Sequence, residues 1–143
     1  MSHVRGVIAV TLAALILACS AGFGSSPSDG LVPLGTWGGN GAGVIVQDTS
    51  MHVHIGCTFG DVSGRVPLNN GAFDVNGSYL LRAYPITVGP TVPARFTGTV
   101  VGKNMTITVT VNDTVAHQTV VKGPVVVTLG ATPQLGPCPI CRR

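Results

Sequence analysis

The chain has no glutamate, four Phe, two Tyr and one Trp as its only aromatics, and a charged fraction of 9%. Each shortage excludes something. Soluble domains carry about a quarter charged residues, so a chain this poor in charge is not of the polar, repulsive kind that stays disordered. Helical bundles draw on Glu, Lys, Leu and Ala, whereas this chain of 143 residues is rich in Val and Thr and holds 20 glycines. Metalloprotease motifs of the His-Glu-x-x-His type are impossible without Glu, and no Gly-x-Ser-x-Gly elbow is present. A net charge of +3 is too small for a nucleic-acid footprint. The length suits one domain.

What is present begins with a leader. Ser2-His3-Val4-Arg5 is a short basic start, and Val7 to Leu17 follows as eleven residues with a single polar one, Thr11. As a helix that run spans about 17 Å, short of the roughly 30 Å hydrocarbon core. It predicts a cleaved export signal rather than a membrane span. The run ends in Ile16-Leu17-Ala18-Cys19, with Ser20, Ala21 and Gly22 after it. This resembles the lipobox of bacterial lipoproteins, with Leu17 where a smaller residue is more usual. The resemblance implies a signal peptide over 1–18, diacylglycerol on Cys19 and anchorage in the lipid bilayer of the cell envelope. With Ser20 rather than Asp next, it implies the outer membrane where the host has one. Residues 19–30, Gly- and Ser-rich, form a flexible tether of roughly 17–20 Å. The competing expectation is an ordinary secretory peptide cut after Ser20 or Ala21.

Residues 31–143 read as an all-β domain. In Asn104 to Asn112, Met105, Ile107, Val109 and Val111 alternate with Thr106, Thr108 and Thr110. This period of two marks a sheet with one buried face, and antiparallel pairing. Similar patterns predict strands at 44–48, 50–57, 62–68, 72–75, 78–83, 95–101, 115–122 and 125–129. Between them, Asn69-Asn70-Gly71, Asn76-Gly77, Gly102-Lys103, Asn112-Asp113 and Gly123-Pro124 supply turn chemistry. Gly38 to Gly43 reads as a flexible entry loop. Pro85, Pro90 and Pro93 assign 84–93 to a long connection. Such a meander closes into a small barrel or folds into a two-sheet sandwich. Gly35-Thr36-Trp37 resembles the Gly-x-Trp opening of lipocalin-like and avidin-like barrels, in which the tryptophan plugs one end. The turn cadence resembles the small β-domains of many bacterial lipoproteins, a likeness that implies no activity.

Cysteine and histidine carry the remaining chemistry. With Cys19 acylated, Cys57, Cys138 and Cys141 remain, and an exported protein meets oxidising conditions. By parity Cys57 shares the core face of its strand with Met51, Val53 and Ile55. This predicts a disulfide from Cys57 to Cys138, with Cys57–Cys141 as the rival, tying the C-terminal tail to the sheet. The competing expectation is a zinc or copper site made from His52, His54, Cys57, Cys138 and Cys141, since Cys-x-x-Cys and His-x-His have ligand spacing. Against it, His52 and His54 face away from Cys57 unless a bulge at Gly56 turns the strand. A thiol-active Cys138-Pro-Ile-Cys141 lacks the helix N-terminus that lowers a thiolate pKa. His117 is expected on strand 115–122, partly exposed. Most of the five aspartates (Asp29, Asp48, Asp61, Asp74 and Asp113) fall in expected turns or at strand ends. Together these readings predict a non-catalytic cell-envelope lipoprotein, without cofactor, whose β-domain serves a structural role or binds a protein, a glycan or a small apolar ligand. The alternative is a metal-binding or thiol-active exported protein.

Overall fold

A computed structural model describes residues 30–83 and 89–138. The leader, Cys19, the tether up to residue 29, and Cys141 lie outside the described residues, as do 84–88 of the proline-rich connection. Ten strands follow in chain order: β1 (Gly30–Leu31), β2 (Gly35–Gly39), β3 (Ala42–Val46), β4 (Ser50–Ile55), β5 (Thr58–Ser63), β6 (Pro67–Leu68), β7 (Ala72–Leu80), β8 (Val92–Val101), β9 (Asn104–Asp113) and β10 (Gln118–Leu129). Eight of them close into an antiparallel barrel in the order β10-β2-β3-β4-β5-β7-β8-β9, which decides between barrel and sandwich. β1 and β6 pair separately, so Gly30, expected in the tether, belongs to the fold.

The alternation in β9 becomes the barrel wall. Met105, Ile107, Val109 and Val111 are fully buried inside, while Thr106, Thr108 and Thr110 are half-buried on the outer face. Hairpins form where the turn residues allow them: Asn70 and Gly71 both take positive φ between Asn69 and Ala72, as a tight two-residue turn requires.

Several expected turns are not turns. Asn76-Gly77 lies inside β7, paired residue for residue with Arg95 and Ala94 of β8. The reason is room. A Cβ at Gly77 would meet Asp61 O and come 2.9 Å from Phe96 Cε2. Likewise a Cβ at Gly60 would meet Tyr79 Cδ2 and approach Phe96 Cζ at 2.9 Å, and one at Gly98 would press on the Phe73 ring. Three glycines on neighbouring strands therefore make space for three rings that occupy the lumen, the small-against-large fitting of a narrow barrel. Strand β5 replaces the strand expected at 62–68, because the hairpin turn falls at Gly56-Cys57 and β5 begins directly after it.

The proline and glycine breaks later in the chain also differ. Pro93 lies in β8, at a point beyond Ala94 where β9 no longer pairs and β8 has one neighbour, which proline tolerates. Gly123-Pro124 is a bulge within one long β10, where the register shifts between Lys122 and Val125. β10 pairs with β2 only at Thr128 and Leu129. The rest of its free edge carries a bulge, a proline and Lys122 opposite inward-facing Val109, features that discourage edge-to-edge association. Residues 115–117, expected in a strand, form the turn before β10, with His117 at φ 52°.

Specific contacts hold the chain at both barrel ends. At one end, Val32 N–H donates to Val66 O at 2.9 Å, and both side chains are fully buried. Trp37, fully buried, donates its Nε1–H to Pro33 O at 3.2 Å and so sits against this cap. Arg65 pins the cap by donating to Asp48 Oδ1 at 2.7 Å and to Val32 O at 3.4 Å. Toward the other end, Arg82 binds Asp113 in a forked pair at 3.1 and 2.7 Å. Asp113 Oδ1 also accepts from Val115 and Ala116 N–H, fixing the turn into β10. The Arg82 hydrogen bonds hold the Asp113 carboxyl down at about 2, helped by those two amides.

Candidate functional site

With aromatic rings in the lumen, chemistry available to a partner lies on the outer wall. Counting outward from the Gly56-Cys57 turn, His52 pairs with Asp61 and His54 with Phe59 across β4 and β5. On the other side of β4, His52 faces Ile45 and His54 faces Gly43 of β3. All of these project outward, as the alternation of β4 predicts for the two histidines. His52 Nδ1 lies 2.7 Å from Asp61 Oδ1. Because a carboxylate only accepts, the Nδ1 nitrogen donates, and Nε2 stands on the far side of the ring from Asp61. The rings of His52 and His54 stand 5.5 Å apart, and Phe59 backs both, at 5.5 Å from His52 and 5.1 Å from His54. His54 is held below its ordinary 6.5, chiefly by partial burial and next by the charge of His52, against the pull of Asp61.

The C-terminal tail builds one wall of this site. After β10 it returns along the outside of β2 and β3. Gly130 N–H donates to Thr36 O at 2.8 Å, Gln134 N–H to Gly39 O at 3.0 Å, and Gly41 N–H to Gln134 O at 2.7 Å. The run from Gly38 to Gly43, expected to be a flexible loop, is instead the β2–β3 hairpin on which the tail lies. A Cβ at Gly38 would collide with the backbone of Ala131, and one at Gly43 would come within 2.7 Å of Pro133 Cβ. The tail thus rests on glycines because any side chain would lift it off. Between tail and sheet a cavity of about 160 Å³ is lined by Gly43, Ile45, His52, His54, Pro133 and Leu135.

Cys138 ends the described tail in a disulfide with Cys57, the expected pairing. Cys57 does not, however, lie on the core face of a strand. β4 stops at Ile55, and Cys57 is a half-buried residue of the hairpin turn, with Gly56 at φ 60° before it. Cys57 therefore meets the tail at the rim and not in the core. The bridge also takes both sulfurs out of the five-residue metal set, since a disulfide offers no thiolate. Among the described residues, no three His, Cys, Asp or Glu side chains gather for a metal ion. Of the predicted set, the structure brings His52 and His54 together and joins Cys57 to Cys138. Asp61 and Phe59 are the partners that sequence reasoning missed, and placing the turn at Gly56-Cys57 would have supplied both by counting.

A second outer surface is more polar. Thr97 and Thr99 of β8 lie opposite Thr108 and Thr106 of β9. With Ala72 and Asp74 they line a groove of about 390 Å³. Asp74 beside it forms a forked pair with Arg95, whose hydrogen bonds hold the Asp74 carboxyl below its ordinary range. The face offers hydroxyls and a neutralised charge pair, with no nucleophile set against a base. The chain matches no protein-family model, no curated protein and no solved structure.

Proposed function

We propose that the chain is a non-catalytic cell-envelope lipoprotein, anchored through acylated Cys19, whose barrel acts as a rigid module that meets a protein or glycan partner with its outer wall. The observation that carries the reading is how closely the described side chains crowd the lumen. Trp37, Tyr79, Phe96, Met51, Met105 and Ile107 are fully buried inside, and the glycines beside the aromatic rings leave no space even for a methyl group. A carrier of small apolar ligands needs a cavity of a few hundred Å³, so the support goes to surface recognition. The paired termini of the domain fit the same role. β1 binds the start of the domain to the barrel cap and the disulfide binds the tail, which suits a module held on a tether.

Intact mass spectrometry of the mature protein from its host tests this reading. The expected mass is that of a chain beginning at Cys19 plus a diacylglyceryl group in thioether linkage (diacylglycerol less water), less two hydrogens for one disulfide. Cys19→Ser is expected to leave the protein in the soluble fraction with its barrel intact. An unacylated product beginning after Ala21 overturns the anchorage, and a small apolar molecule copurifying inside the barrel overturns the surface role.

A further inference from the structure

We infer that His52 and His54 form a surface site for one Cu²⁺ ion, with Asp61 as the positioning residue that orients His52. Strand alternation puts both imidazoles on one outer face, two residues apart. A metal bound 2.0–2.1 Å from a ring nitrogen lies about 3 Å from that ring's centre, so two rings sharing an ion have centres about 4.5–6 Å apart. The observed 5.5 Å falls within that span. The arrangement is set before any ion arrives. Asp61 accepts from His52 Nδ1 at 2.7 Å and directs Nε2 away from the carboxylate, as carboxylate partners of metal-bound histidines do. Phe59 packs on both rings and limits their rotation. His54 makes no hydrogen bond among the described residues, so a ring nitrogen is free to ligate.

The choice of metal follows from the donors. Two imidazole donors, with both cysteines among the described residues locked in a disulfide, favour Cu²⁺ over the other divalent first-row ions. Asp61 adds a negative charge beside the site. Water fills the remaining positions, with room in the cavity of about 160 Å³ between the rings and the tail. The inference is independent of acylation and of any partner for the barrel.

The test is titration of the mature protein, in detergent if acylated, with CuSO₄, followed by calorimetry and electron paramagnetic resonance. One Cu²⁺ per chain with two imidazole nitrogens in its superhyperfine pattern is expected. His52→Ala and His54→Ala should each weaken binding at least tenfold and leave one nitrogen in the pattern. Asp61→Asn should weaken it about 10- to 100-fold with both nitrogens retained, a result that a merely structural aspartate would not produce. His117→Ala should bind as the wild type does. All four variants alter surface side chains, and circular dichroism checks that the barrel persists. Cu²⁺ binding unchanged in the His52→Ala/His54→Ala double variant overturns the proposal, as does a spectrum without imidazole nitrogen. Unchanged affinity in Asp61→Asn overturns the orienting role.

Discussion

Replacing both Cys57 and Cys138 by serine removes a bridge that spans 81 residues of chain. In the chain-entropy account, a loop of that length restrains the unfolded state by about 4.5 kcal/mol at 25 °C. The folded state changes less, because the tail keeps its backbone hydrogen bonds to Thr36, Gly39 and Gly41 without the sulfurs. Native disulfides deliver about 2–5 kcal/mol when removed, so a loss of about 2–4 kcal/mol is expected. For a domain of this size that lowers the melting midpoint by about 10–15 °C. Urea unfolding followed by fluorescence is the assay, since Trp37 is the only tryptophan and is fully buried at the barrel cap. Dithiothreitol added to the wild type should shift the curve as the double variant does. A shift below about 0.5 kcal/mol would falsify the view that the bridge restrains the whole barrel in its unfolded state. Peptide mapping that finds Cys57 joined to Cys141 would refute the pairing itself.

Two further expectations concern the barrel wall. Gly60→Ala should destabilise by about 1–3 kcal/mol through overpacking against Tyr79 and Phe96, outweighing the smaller gain that alanine brings through the unfolded chain. Thr99→Ala on the exposed face should stay within about 0.5 kcal/mol, and equal midpoints for the two would mean that the lumen has slack. Asp113 has a folded pKa of about 2, below its ordinary 3.8. Its contribution is therefore fully present above about pH 4 and fades as pH falls toward 2. The deficit of Asp113→Asn relative to wild type, read by urea midpoint across that range, should narrow on acidification, and a pH-independent deficit would refute the assignment.

Strand content and hand of pairing were legible in the chain itself. In β9 the alternation of Met105, Ile107, Val109 and Val111 with threonines needs no knowledge of neighbours, because burying one face of a strand is a local requirement. The same logic set His52 and His54 on the outside. The Cys57–Cys138 pairing was also reachable, although the stated parity placed Cys57 in a strand and the fold places it in a turn.

What only the tertiary structure decided depends on residues far apart in the chain. Closure rests on Trp37 opposite Leu129 and Gly38 opposite Thr128, and no local pattern shows that the last strand returns to the first of the barrel. Asn76-Gly77 has the chemistry of a turn, yet it runs straight through β7 because Phe96 on the next strand needs the space of a missing Cβ. A glycine serves a bend and a close approach equally well, and the neighbour that chooses between them is supplied by folding. Gly38 and Gly43 were ambiguous for the same reason, until Ala131 and Pro133 came to lie on them. Local alternation fixes which way a side chain points, whereas what it touches depends on register, and register is a property of the closed barrel.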